Sequence, residues 1–193
     1  MISKESGNNE TTISYNNLSL PISYVNKVGN TVVNSFSYTY SVDGNRITDN
    51  DNVNNINKTY SYDSNGRLTS ETVSGAENRT SAYTYDRRGN RVTETVTGDE
   101  SYIRTNAYDS NNRLVSQIKE TNGITENEIN YYYDSNGNQT FKQQYNYSGK
   151  VEFGINAGDH TTGTVEEFTY NLHNQLIGYT NNDTSGGADI FLD

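Results

Sequence analysis

Tyr60-Ser-Tyr62-Asp63-Ser-Asn-Gly66-Arg67-Leu68-Thr-Ser decides how this chain is read, because it recurs. In register with it lie Tyr38-Thr-Tyr40-Ser-Val-Asp-Gly44-Asn-Arg46-Ile47 and Tyr83-Thr-Tyr85-Asp86-Arg-Arg-Gly89-Asn-Arg91-Val92. Two more copies are Asn106-Ala-Tyr108-Asp109-Ser-Asn-Asn112-Arg113-Leu114 and Tyr131-Tyr-Tyr133-Asp134-Ser-Asn-Gly137-Asn-Gln139. Weaker copies stand at Phe168-Thr-Tyr170-Asn171-Leu-His-Asn174-Gln175-Leu176 and Ile13-Ser-Tyr15-Asn16-Asn-Leu-Ser19-Leu20-Pro21. The second aromatics fall at 15, 40, 62, 85, 108, 133 and 170, and four residues after each comes Gly or Asn, except at Ser19. The last interval is the longest and holds a degenerate unit or an extended loop around 145–163.

One unit has a readable chemistry. Aromatic, any residue, then Tyr is a period-2 pattern that sets both rings on one face of a strand. Asp-Ser-Asn-Gly is turn chemistry. The carboxylate accepts backbone N–H groups two residues on, and Gly or Asn takes the positive φ that a short hairpin loop with a bulge requires. Leu68-Thr-Ser-Glu-Thr-Val73 and Val92-Thr-Glu-Thr-Val96 then run as β-branched strands, and Ser74-Gly75 and Thr97-Gly98-Asp99 return the chain. The unit is a β-hairpin. Asn90 stands between Gly89 and Arg91 while Arg67 follows Gly66 directly, which reads as one extra, bulge-related residue in that copy. Helix signals are almost absent.

Composition agrees with an array and excludes other classes. Of 193 residues, 30 are Asn, 23 Thr, 17 Tyr and 16 Gly, with one Pro and no Cys or Trp. Without Cys there is no disulfide framework or thiolate metal site, and no apolar run approaches the roughly 20 residues of a spanning helix. Leu, Ile, Val and Phe total 36, low for a conventional core, but Tyr brings large buriable rings. A formal charge of −10 disfavours a basic nucleic-acid interface. One hairpin alone is marginal. Stacked hairpins share their aromatic faces and pair their edges. The expected architecture is therefore all-β, an array of antiparallel hairpins of about 23 residues over 13–180, forming a curved or spiralling sheet. Residues 1–12 read as disordered or frayed. Residues 181–193 read as a flexible tail, or, at Ile190-Phe-Leu192, as the start of a further repeat.

Over 13–180 the sequence resembles the YD-repeat family, the tyrosine–aspartate repeats of bacterial Rhs proteins, wall-associated proteins, insecticidal toxin-complex subunits and animal teneurins. The match is tightest at Tyr62-Asp63-Ser-Asn-Gly66-Arg67-Leu68 and Tyr85-Asp86-Arg-Arg-Gly89-Asn-Arg91. The resemblance implies a segment of wall from a hollow β-shell, since full shells of the family use far more repeats. It implies a secreted or cell-surface location. The implied partners are flanking repeats of the same polypeptide, an encapsulated C-terminal toxin or a cell-surface glycan, with no nucleic acid and no membrane insertion. The family's C-terminal core signature, built around Asp-Pro-x-Gly, has no counterpart, as the sole proline, Pro21, follows Leu20.

No residue pattern points to catalysis, a cofactor or a metal. His160 reads as a loop residue and His173 as a solvated turn residue. The Asp63 and Asp134 turns lack the alternating oxygens, sixth-position Gly and twelfth-position Glu of a calcium loop. Asp183-Thr-Ser-Gly carries one residue too many for an aspartic-protease triplet, and Gly154-x-x-x-Gly158 lacks the Lys-Ser/Thr of a P-loop. The tyrosines invite sugar stacking, but a pair that recurs once per repeat is what a structural ladder requires. Arg67, Arg91 and Arg113 are placed to pair with Asp63, Asp86 and Asp109, pairs of small worth if exposed. The residues expected to matter are structural: Tyr40, Gly44, Tyr62, Asp63, Gly66, Arg67, Tyr85, Asp86, Gly89, Arg91, Tyr108, Asp109, Tyr133, Asp134, Gly137 and Tyr170. The function read here is a non-enzymatic wall segment. The rival is a carbohydrate- or surface-binding adhesion module.

Overall fold

The computed structural model describes residues 1–147 and 162–184. Each Tyr motif ends one strand, and a five-residue turn delivers the next. The strands are β1 (Ile2–Ser6), β2 (Asn9–Tyr15), β3 (Pro21–Val28), β4 (Thr31–Tyr40), β5 (Arg46–Asp51), β6 (Ile56–Tyr62), β7 (Leu68–Gly75) and β8 (Arg79–Tyr85). They continue as β9 (Arg91–Gly98), β10 (Tyr102–Tyr108), β11 (Leu114–Thr121), β12 (Ile124–Tyr133), β13 (Gln139–Asn146), β14 (Thr162–Tyr170) and β15 (Leu176–Thr184). They hydrogen-bond in chain order from β1 to β15, and no helix occurs among the described residues. Two compact units divide the chain: Met1–Tyr83 with Val96–Glu100, and Thr84–Thr95 with Ser101–Asp193.

In the first unit the alternation of side chains sorts them sharply. One face takes the rings: Tyr24 is opposite Phe36, with centroids 6.1 Å apart, and Tyr38 is opposite Asp49. The other face carries hydroxyls. Thr39, Thr48, Thr59, Thr72 and Thr80 stand directly opposite one another across five successive strands, β4 to β8. Thr39 and Thr48 share a hydrogen bond of 2.8 Å. Such cross-strand pairs stabilise a sheet by roughly 0.2–1 kcal/mol each.

The interior is polar. Val73 and Val96 are the buried apolar side chains among the described residues, beside buried Ser81, Glu94, Asn106 and Gln143. Burying such groups is tolerable only when they are hydrogen-bonded. Glu94 pairs with Arg104, Asn106 donates to the Arg91 carbonyl at 2.9 Å and accepts from Gln117 at 3.0 Å. No buried side-chain nitrogen or oxygen among the described residues lacks a partner.

Three expectations need correction. Residues 2–6 and 9–12, expected to be frayed, lie in strands: the Gly7 turn, at φ +61°, folds β1 onto β2 in full register from Ile2↔Ile13 to Ser6↔Asn9. The polar stretch from Asn181 is not a loop up to Thr184. It continues β15, paired through Gly163↔Thr184, where Asn181 and Asn182 are exposed and keep their amides in water. Asn90 is not an extra residue. The Asp86 N–H donates to the Asn90 carbonyl at 2.9 Å, as Asp63 does to Arg67 and Asp134 to Asn138, so all these turns have one length and Asn90 occupies the place of Arg67. The bulge is instead general. In six hairpins one residue after the turn is skipped by the ladder, as Thr69 is between Tyr62↔Leu68 and Ser61↔Ser70. Of the degenerate unit or extended loop around 145–163, residues 148–161 lie outside the described residues, as do His160, Gly154-x-x-x-Gly158 and Ile190-Phe-Leu192, while Tyr145 and Asn146 belong to β13 and Thr162 and Gly163 to β14.

Candidate functional site

The turn edge gathers most of the predicted residues. At Asp63 the carboxylate accepts from the Asn65 amide at 2.9 Å and the Arg67 amide at 3.0 Å through one oxygen. The other oxygen takes Arg67 Nε at 2.7 Å. Asp109 repeats this with Asn111 and Arg113. At Asp86 and Asp134 the second oxygen is held by the amide groups of Asn90 and Asn138, at 2.9 and 2.8 Å. These bonds to the ionised form hold all four carboxyls below the ordinary aspartate range. The leading cause is a backbone amide at Asp63 and Asp109, and the side-chain amide at Asp86 and Asp134. Asn171 does the same work without a charge, accepting from His173 and Gln175.

The fourth turn position takes positive φ throughout: Gly44, Gly66, Gly89 and Gly137, with Ser19, Asn112 and Asn174 in the other copies. Arg91 is not in the position of Arg67 and Arg113. It opens β9 one residue later, as Arg46 opens β5.

Each repeat is tied to its neighbour in two ways. First, the fifth turn residue serves both its own Asp and the next turn. Asn90 Nδ2 also donates to Asn112 Oδ1 at 3.1 Å, Arg113 Nη1 to the Asp134 carbonyl at 3.3 Å, and Asn138 Nδ2 to Asn174 Oδ1 at 3.1 Å. Second, the Tyr hydroxyl reaches back. Tyr40 donates to the Pro21 carbonyl at 2.7 Å, Tyr62 to Arg46 at 2.8 Å, Tyr108 to Arg91 at 3.0 Å and Tyr133 to Leu114 at 2.7 Å. In all four the acceptor is the residue that opens the strand after the preceding turn, and Pro21, Arg46 and Leu114 stand just before a bulge position. The phenol gives each of these carbonyls a donor from the following repeat. Tyr170 ends β14 opposite Leu176, and Tyr85 ends β8.

At the return edge, where Gly75 and Gly98 were expected to turn the chain, the close approach of the neighbouring backbone was not foreseen. Gly75 and Gly98, at φ +112° and +124°, lie so close to the Asn55 and Asn78 carbonyls that a Cβ would collide with backbone. The amides that follow, Ala76 and Asp99, donate to those same carbonyls at 2.9 Å. No local turn rule connects Gly75 with Asn55 or Gly98 with Asn78, twenty residues apart in the sequence.

With its oxygens engaged by amides and guanidinium, the Asp row has capping chemistry, not cation-binding chemistry. No group of three His, Asp or Glu among the described residues could hold a metal.

Residues 62–101 match the family model described as RHS Repeat. Residues 62–101 carry Rhs repeats. The Rhs-repeat stretch so matched holds the Asp63 and Asp86 turns and both return glycines. A solved structure of TcdB2-TccC3-Cdc42 is similar over 88% of this chain and 9% of that chain, with TM-score 0.66 and 16% identity. A Tc holotoxin pore of Photorhabdus luminescens, carrying a mutation in TccC3, aligns over 100% of this chain and 13% of that one, with TM-score 0.48 and 15% identity. No curated protein sequence matches. The chain thus spans about a tenth of the length of the chain it matches in the TcdB2-TccC3-Cdc42 structure, and what it shares with that structure is the fold.

Proposed function

We propose that this chain is a non-enzymatic length of wall in a larger Rhs-repeat shell, secreted or surface-attached, whose enclosed cargo is a polypeptide toxin. The observation that carries this reading is the Tyr rung. The hydroxyls at Tyr40, Tyr62, Tyr108 and Tyr133 each join one hairpin to the one before it. A residue spent on inter-repeat bonding has value only if repeats are stacked. The turn Asp and turn Gly are likewise spent on backbone geometry. The fold shared with the TcdB2-TccC3-Cdc42 structure supports the same reading. The partners would be flanking repeats at the open edges and the enclosed chain, with no nucleic acid, in keeping with the −10 charge. Sugar stacking on the recurrent tyrosines is the weaker alternative, since four of those phenols already donate inward.

The test is the coding frame on either side of this segment, together with the fractionation of its product. Further Tyr-x-Tyr-Asp units in frame and recovery from the medium or cell surface are expected. Flanking stop codons, with a cytosolic product, would overturn the wall reading.

A further inference from the structure

Four aromatic side chains fall outside the recurrent ladder. Tyr132, Phe141 and Tyr145, with Tyr147 just beyond the end of β13, lie on the face of β12 and β13 opposite to that of Tyr131 and Tyr133. Tyr132 is directly across from Phe141, and Tyr145 from Glu128. On β10, β11 and β14 this face carries residues such as Thr105, Ser116, Ile118 and Val165 and no ring, so four rings here are an exception that the repeat does not demand. Their phenols are fixed by two groups. Gln143, only 5% exposed, accepts from Tyr132 at 2.9 Å and from Tyr145 at 3.5 Å. Glu128 accepts from Tyr147 at 3.1 Å and from Asn130 at 2.9 Å. Tyr132 is 43% exposed, so the patch is open to a ligand.

The molecule shows what belongs with a tyrosine beside a carboxylate. Arg46 sits 4.5 Å from the Tyr38 ring and bonds Asp49 at 3.0 Å. Arg104 sits 5.1 Å from the Tyr102 ring and pairs with Glu94. Arg113 sits 4.7 Å from the Tyr133 ring and bonds Asp109 at 2.6 Å. In each case a planar guanidinium lies over a ring and pairs with a carboxylate. On the Tyr132 face of β11 to β14 the ring and carboxylate are present, but no described residue is Lys or Arg. Lys119 and Lys142 alternate to the other face, where they pair with Glu126 and Glu166. We propose that Glu128, Tyr132, Gln143, Tyr145 and Tyr147 form a docking site for an arginine side chain of a partner polypeptide, the cation that no described residue of this face supplies. The guanidinium stacks on Tyr132 and donates to Glu128, and the phenols already pinned by Gln143 and Glu128 spare it the cost of ordering them. The site does not depend on the wall role and is absent from the other hairpins.

The probe is an N-acetylated Gly-Gly-Arg-Gly-Gly amide, whose single charge avoids general attraction to an acidic protein. Titrated into the whole chain and followed by amide NMR, it is expected to shift residues 128–147. Tyr132→Ala and Glu128→Gln should each weaken binding at least tenfold, and Tyr132→Phe, which keeps the ring, should bind within about threefold of the unsubstituted chain. Glu77→Gln makes the same change of net charge at an exposed turn and should have no effect. If Glu77→Gln weakens binding as much as Glu128→Gln, the attraction is only to the acidic protein and the site is refuted. It is equally refuted if Tyr132→Ala binds normally, or if maltose shifts these amides and the arginine peptide does not. Should Tyr132→Ala fail to fold, the Glu128→Gln and Glu77→Gln pair decides alone.

Discussion

The Tyr62 hydroxyl donates to the backbone carbonyl of Arg46 at 2.8 Å. This single bond explains why the motif carries tyrosine where phenylalanine would pack as well. Arg46 is paired with Tyr40, and the next residue, Ile47, is skipped by the ladder before Thr39↔Thr48 resumes. The phenol of one repeat thus bonds the backbone of the repeat before it, next to its bulge.

Removing that oxygen should cost the net value of one part-buried hydrogen bond, about 1 kcal/mol. Tyr62→Phe and Tyr133→Phe are each expected to lower the melting temperature by about 2–4 °C. Tyr15→Phe, whose hydroxyl makes no described bond and which is 38% exposed, should melt unchanged. Equal effects in all three would show that the rung contributes nothing.

Glycines at the two edges should respond differently to a methyl group. At Gly66 an added Cβ comes no closer than 4.0 Å, to the Asn45 side chain, so Gly66→Ala meets only the strain of positive φ, about 1–2 kcal/mol. Gly66→Asn should be nearly neutral, since Asn112 and Asn174 hold the same position at φ +62° and +58°. At Gly75 the Cβ would collide with the Asn55 carbonyl, and Gly75→Ala should cost more than about 3 kcal/mol, beyond the ordinary range of point substitutions. Denaturant melts of the three variants settle the order. A Gly75→Ala variant as stable as Gly66→Ala would mean that the return turn yields easily.

Much of this was legible because the information is local. Tyr-x-Tyr sets a face, Asp63 caps its own turn within four residues, and Gly66 or its Asn equivalents supply φ. The strands and their order follow from those rules. What escaped was set by the neighbouring repeat. The partner of the Tyr62 hydroxyl is sixteen residues upstream, and the carbonyl that excludes a side chain at Gly75 belongs to Asn55. Two arginines that look equivalent in a linear alignment, Arg67 and Arg91, occupy different turn positions, because Asn90 substitutes for a guanidinium as donor to the aspartate. The N-terminal hairpin was missed because Ile2–Ser6 is polar and carries no Tyr-Asp signature, although pairing with β2 requires none.

Acid should loosen the turn edge. The carboxyls of Asp63, Asp86, Asp109 and Asp134 titrate below the ordinary value in the folded chain. A lowered folded pKa means that the stabilisation is fully present above the unfolded value, about 3.9, and is lost as pH falls through the folded values. Denaturant midpoints are expected to drop steeply below about pH 4. Asp63→Asn with Asp109→Asn, which keeps the backbone-accepting oxygen as Asn171 does, should flatten that drop. Identical acid slopes in variant and parent would remove the turn carboxylates from the account.

Alkali should act on Tyr147. Burial first, then the charge of Glu128 and the hydrogen bond to it, push this phenol up to about 12, against about 10 in an unfolded chain. A raised folded pKa contributes stability that is fully present below the unfolded value and disappears as pH climbs through the folded one. Between about pH 10 and 12 the unfolded chain has already lost this proton and the native chain still holds it, so stability falls with pH across that window. Tyr38, Tyr60 and Tyr133, also raised chiefly by burial, add to the same trend, so the informative quantity is the difference between variant and parent. Tyr147→Phe should be measurably less sensitive to pH in that window. Glu128→Gln, by removing the nearby charge, should lie between Tyr147→Phe and the parent. The order would be refuted by a Tyr147→Phe chain that loses stability between pH 10 and 12 as steeply as the parent, and the phenol at 147 would then be as free to ionise in the folded chain as in the unfolded one.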